Sequence, residues 1–134
     1  MDVLRNMQVQ MEELMNELNA IQKEMGKEMN AVQNLQAQLT ENQLVKSELD
    51  LLAADTNVFK LVGPILVKQD CVEAQSNVNK RIEFIEAEMQ KATDKLQRLE
   101  KTQGEKRVKV SDLQKNMQRI AMSMQQAAGA ASAS

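Results

Sequence analysis

The chain has 134 residues, enough for one domain, and a net charge of −2 that offers no strong field to nucleic acid or an anionic membrane. It lacks Trp, Tyr and His and has only two Phe, so a core must be built from Leu, Val, Ile and ten Met, and the commonest metal ligand and general base is absent. Gln, Glu, Lys, Leu, Met and Ala dominate, which suits long helices and coiled coils.

No apolar run approaches the length that spans a bilayer. The start, "MDVLRNMQVQ", lacks the apolar stretch of a secretory leader. A single cysteine, Cys71, cannot close an internal disulfide, which fits a reducing compartment.

The first element expected is a coiled-coil helix over residues 1–54. Leu4, Met7, Met11, Leu14, Leu18, Ile21, Met25, Glu28, Val32, Leu35, Leu39 and Asn42 follow alternating steps of three and four, and ten of these twelve are apolar. That regularity marks a narrow seam rather than a broad globular face. After Asn42 the phase slips, and Val45, Leu49 and Leu52 continue the stripe.

Residues 55–69 change character. "NVFKLV" and "ILVKQ" are β-branched and apolar, and they flank Gly63-Pro64. This predicts a β-hairpin through a II′ turn, with Gly63 at the left-handed first corner and Pro64 at the second, where no amide need donate. Val58, Lys60, Val62, Ile65 and Val67 then share one face, and Phe59, Leu61 and Leu66 the other. A lone hairpin is marginal in water, and one that is apolar on both faces with free edges needs partners. The chain offers no third strand, so Val58, Phe59, Leu61, Val62, Gly63, Pro64, Ile65, Leu66 and Val67 are expected to pair with other chains. A connector buried on its own helices is the competing arrangement.

The second helix is expected over 70–128, opened by Asp70 with Glu73 in capping-box spacing. Its seam runs Val78, Ile82, Ile85, Met89, Ala92, Leu96, Leu99, Gln103, Lys106, Val110, Leu113, Met117, Ile120, Met124 and Ala127. The low-complexity end at 129–134 has no stripe and is expected to be disordered. Each arm of roughly 50 residues makes a helix of roughly 75 Å. Two such seams bury each other as an antiparallel hairpin. Charge agrees: residues 1–28 hold six acids and three bases, while 95–119 hold eight bases and three acids.

Three stretches, "QLTENQLVKSELDLL", "NVFKLVGPILVKQD" and "EAQSNVNKRIEFIEAEM", resemble prefoldin β-type subunits in order, spacing and residue identity, most closely at "KLVGPILVKQ" and "NVNKRIEFI". The resemblance implies a jellyfish-shaped heterohexamer of two α-type and four β-type subunits. This chain would meet two α-type and three further β-type partners, with the hairpins joined in β-barrels. The resemblance also implies a cytoplasmic co-chaperone without cofactor or ATP. Such a protein captures unfolded actin and tubulin and passes them to the cytosolic group II chaperonin. The arms resemble the family only in length and periodicity, so client contacts must be read from this chain itself.

Met1, Met7, Met11 and Met15 crowd one arm and Met117, Met122 and Met124 the other. Antiparallel packing brings these groups together at the end farthest from the strands. Methionine is flexible and polarisable and suits a surface for varied apolar partners. Met7, Met11, Met15, Met117, Ile120, Met122 and Met124 are therefore candidate client-binding residues. Met15 and Met122 fall off the seam, whereas Met7, Met11, Met117 and Met124 also serve as seam residues.

Nothing in the sequence assembles an enzyme. The acids are spread along helix faces, there is no glycine-rich phosphate loop and no metal-ligand cluster, and Cys71 has no evident base. "GEKRVK" at 104–109 is short and broken by Glu105, so no nucleic-acid surface is expected. The rival class is a structural or tethering coiled coil that holds no client. One further expectation concerns flexibility: Gly26 with Glu28, and Gly104 with Gln103 and Lys106, weaken the seams and predict a waist. The alternative there is a Glu28–Lys106 or Glu24–Lys106 pair that stitches the gap.

Overall fold

The computed structural model describes residues 2–133; Met1 and Ser134 lie outside the described residues. The order is α1 (Asp2–Asp50), β1 (Asn57–Val62), β2 (Ile65–Asp70) and α2 (Cys71–Ala133). This is the mainly helical fold with a central hairpin that the periodicity predicts. Both helices are proline-free, and the chain's one proline sits in the turn between the strands.

Two compact units can be distinguished, Met1–Lys27 with Leu96–Ser134, and Glu28–Lys95. In the first, Leu4, Met7, Met11, Leu14 and Leu18 are half-buried and Ile21 is buried, while Leu99, Val110, Leu113, Met117 and Ile120 are half-buried on α2. In the second, Val32, Leu35 and Leu39 are half-buried. There Leu49, Cys71, Ala74, Ile85 and Ala92 form the buried centre. The narrow seam explains why so few side chains are fully enclosed: a helix pair covers one stripe of each helix and leaves the rest to water.

Cross-helix bonds fix the direction of pairing. In the first unit Lys106 Nζ meets Glu17 Oε2 at 2.6 Å, and Gln103 Nε2 donates to Gln22 Oε1 at 3.0 Å. In the second, Lys95 Nζ meets Glu28 Oε1 at 3.0 Å. Partners on α2 fall in number as those on α1 rise, so within each unit the helices are antiparallel. Glu28, Gln103 and Lys106 are thus stitched, as in the alternative to a loosened waist but by other pairs, while Asn42 Nδ2 donates to the Gln38 carbonyl of its own helix. Glu28 takes Lys95 and Lys106 takes Glu17, rather than the two meeting each other.

Three other expectations change. Of the stripe beyond Asn42 only Leu49 is buried; Val45 is exposed within α1, and Leu52 is exposed past the end of α1 at Asp50. Met124 and Ala127 are exposed as well. With Glu17 opposite Lys106, the start of α1 is reached near residue 121, and the later turns of α2 have no α1 residue opposite them. Residues 129–133 are helical instead of disordered, as suits the high helix propensity of their alanines, and Ser134 is outside the description.

Candidate functional site: apolar hairpin and methionine-rich helix ends

The strands pair antiparallel with Val62 opposite Ile65, Leu61 opposite Leu66, Lys60 opposite Val67, Phe59 opposite Lys68 and Val58 opposite Gln69. Two residues therefore make the turn, and Gly63 has φ 59°. Proline cannot take positive φ, so the first corner alone is left-handed and the turn is of the II′ kind predicted. A Cβ on Gly63 would meet nothing within 4 Å. The backbone angle, not crowding, calls for glycine here.

The two faces carry the residues assigned to them from the sequence. Phe59, Leu61, Val62, Ile65, Leu66 and Val67 are 46–69% exposed. The first half of β1 lies against the helices of its own unit, where Val58, Phe59 and Lys60 share a groove with Val45, Leu49, Ala74 and Val78. The buried-connector arrangement is thus not adopted. The sheet has two strands, and among the described residues no third strand covers either outer edge.

The root is held by a tie to the end of α1. The Leu49 carbonyl accepts from the Leu52 N–H at 3.1 Å and from Gln75 Nε2 at 3.2 Å, and Cys71 Sγ lies 3.8 Å away. A terminal helix carbonyl that would lack a partner is satisfied in this way. Cys71 is 1% exposed, so its thiol is a packing group and not an accessible nucleophile.

At the methionine-rich end, Met11 and Met117 share a shallow groove with Gln8, Gln114 and Gln118. Met7 and Ile120 are half-buried in the seam. Met15, Met122 and Met124 are exposed, the last because α2 runs on past α1. The opposite flank of this unit is charged, lined by Glu13, Glu17, Lys109 and Asp112. No cluster of His, Cys, Asp or Glu able to hold a metal occurs among the described residues.

Sequence reasoning passed over Leu44, Leu51, Val72 and Phe84, all well exposed in the hairpin's unit. Each is an apolar residue off the seam, which the sequence shows but only the neighbours in space make meaningful.

The order helix, hairpin, helix, with the hairpin's apolar faces open, can be set beside known proteins. A family model described as Prefoldin subunit matches residues 12–117. The chain belongs to the prefoldin subunit family. Prefoldin subunit 6 of Arabidopsis thaliana is 46% identical over 117 residues, which is 87% of this chain and 91% of that protein. Prefoldin subunit 6 of Homo sapiens is 44% identical over 99 residues, or 74% of this chain and 77% of the human one. The crystal structure of the prefoldin beta subunit from Thermococcus strain KS-1 matches with a TM-score of 0.55. It is 24% identical to this chain, and the match covers 83% of this chain and 91% of that one. That structure shares the fold: two long helices with an antiparallel hairpin between them. As a prefoldin family member the chain has the role of a co-chaperone subunit.

Proposed function

We propose that this chain is one β-type subunit of a heterohexamer with two α-type and three further β-type partners, and that its hairpin is the assembly element. The observation that carries this reading is a hairpin with both faces apolar, exposed, and both edges free. Its strands join those of partner subunits into β-barrels, which pairs the edges and buries Phe59, Leu61, Val62, Ile65, Leu66 and Val67. Leu44, Leu51, Val72 and Phe84, exposed in the same unit, extend the surface that partners cover.

The methionine-rich end captures unfolded proteins, actin and tubulin among them, and the assembly hands them to the cytosolic group II chaperonin. Met15, Met122 and Met124 provide exposed, conformationally adaptable contacts. Capture uses no ATP and no cofactor, and the complex acts in the cytoplasm without catalysing a reaction.

The test is the complex purified from cells through this chain. A mass equal to six prefoldin-type subunits, with suppression of client aggregation that is indifferent to ATP, supports the reading. A complex of correct mass that holds no unfolded client would leave a structural coiled-coil subunit. Capture that requires ATP in the absence of chaperonin would overturn the co-chaperone reading.

A further inference from the structure

Four seam positions are polar: Glu28 and Asn42 on α1, and Gln103 and Lys106 on α2. Asn42 Nδ2 donates to the Gln38 carbonyl of its own helix, and the other three have partners on the other helix of their own unit. Lys95 meets Glu28 at 3.0 Å, Gln22 meets Gln103 at 3.0 Å, and Glu17 meets Lys106 at 2.6 Å. We propose that these polar rungs are a register device: they specify which α1 residue stands opposite which α2 residue, at some expense of seam stability.

The apolar pattern alone cannot do this. A seam of alternating threes and fours repeats every seven residues, so sliding one helix along the other by a heptad, about 10 Å, again sets apolar residues against apolar residues. The rungs break that degeneracy. A one-heptad slide that brings Glu24 opposite Lys106 separates Gln22 from Gln103 and Glu28 from Lys95. A slide the other way parts all three pairs. The rungs lie at the solvent-facing side of the seam, with Lys95 45% and Glu17 51% exposed, so each lost pair costs little singly and the three act together. A single polar residue in a coiled-coil seam is known to select one register at the expense of stability, and three at different heights select more sharply.

What the register fixes is the content of the helix ends. In the observed alignment Met11 and Met117 share one groove, and Met122 and Met124 lie beyond the start of α1. A heptad slide toward higher α2 numbers would draw Met124 into the seam. A slide the other way would leave Met117 and Ile120 without facing residues. The rungs thus determine which methionines are presented and which are enclosed, whatever those methionines bind.

The experiment uses the full chain with Cys71→Ser and pairs of introduced cysteines, in the assembled complex and alone. Gln10→Cys with Asn116→Cys reports the observed register, since both positions line one groove. Gln10→Cys with Ser123→Cys, and Val3→Cys with Asn116→Cys, report slides in the two directions. With the rungs intact, only the first pair should oxidise readily. Replacing Glu28, Gln103 and Lys106 by Leu should keep the helix content, raise the melting temperature and increase disulfide yield in a slid pair about tenfold or more. If the three-leucine variant still cross-links only through Gln10→Cys with Asn116→Cys, the rungs do not set the register. A fall in its melting temperature would mean that they act as ordinary stabilising contacts. Should the leucine variant not fold, Lys106→Glu alone is the second arm, since it sets two acids face to face. Restoration of the first cross-link by adding Glu17→Lys supports the proposal, and no restoration counts against it.

Discussion

The carbonyl oxygen of Leu49 and the side-chain amide of Gln75 lie 3.2 Å apart, joining the last turn of α1 to the first turns of α2 across 26 residues. Gln75 is half-buried there, next to Cys71, in the best-enclosed part of the molecule. Gln75→Ala removes the bond and should cost about 1 kcal/mol. Urea unfolding followed by circular dichroism measures it. An unchanged midpoint would mean that the Leu52 N–H alone satisfies the carbonyl.

Val62→Asp or Leu66→Asp places a carboxylate on an apolar hairpin face. In the isolated chain these positions are more than half exposed, so helix content should stay near normal. In a closed barrel the charge would be buried without a partner, at a cost of several kcal/mol. Loss of co-purifying subunits with an intact helical spectrum is the expected result. Normal yield of the full complex would remove the hairpin from the assembly interface.

Gly63→Ala isolates the backbone requirement of the turn, because the added methyl group has open space around it. The left-handed angle should cost the hairpin about 1–2 kcal/mol. Thermal melting of the complex carrying the variant measures it, and an unchanged melting temperature would show that the turn relaxes to another form.

Met15→Glu with Met122→Glu tests the exposed methionines. Both side chains are about half exposed, so assembly should be untouched. Binding of an unfolded client should weaken several-fold, since two apolar contacts worth about 1 kcal/mol each are replaced by charges. Equal capture by the double variant would leave these methionines as surface residues only.

Amide exchange should be faster at residues 24–30 and 102–107 than at 35–42 and 85–92. Each of the first two stretches contains a helix glycine, worth about 1 kcal/mol against Ala, and a polar seam position that contributes less than apolar burial. Gly26→Ala with Gly104→Ala should slow exchange there, and both sites have room for the methyl group. Uniform protection along both helices would mean that the seam has no waist.

Much of the fold is legible because the rules that make it are local. The seam positions from Leu4 to Asn42 and from Val78 to Ile120 are each at least half withdrawn from water, as the three-four spacing requires. Gly63-Pro64 gives the turn and, through it, the facing of every hairpin residue. What the spacing does not contain is the alignment of one helix on the other. Lys106 could be matched on paper with Glu24 or Glu28, and in the structure it meets Glu17. For the same reason Met124 reads as a seam residue, although α1 has ended before it. Leu44 and Phe84 are illegible in the sequence for a different cause: a lone apolar residue on a solvated helix face acquires meaning only when its neighbours in space are known.

An unaccompanied copy of this chain is an unfinished object. Its two open strand edges, each carrying a single lysine, Lys60 or Lys68, are a template for an extended polypeptide, including another copy of itself, and among the described residues no third strand covers them. Synthesis in excess of partners therefore leaves those edges open for as long as the orphan persists before it is matched or destroyed. Abundance of this subunit should follow that of whichever partner is scarcest, so depletion of one partner ought to lower the level of this chain without any change in its messenger RNA.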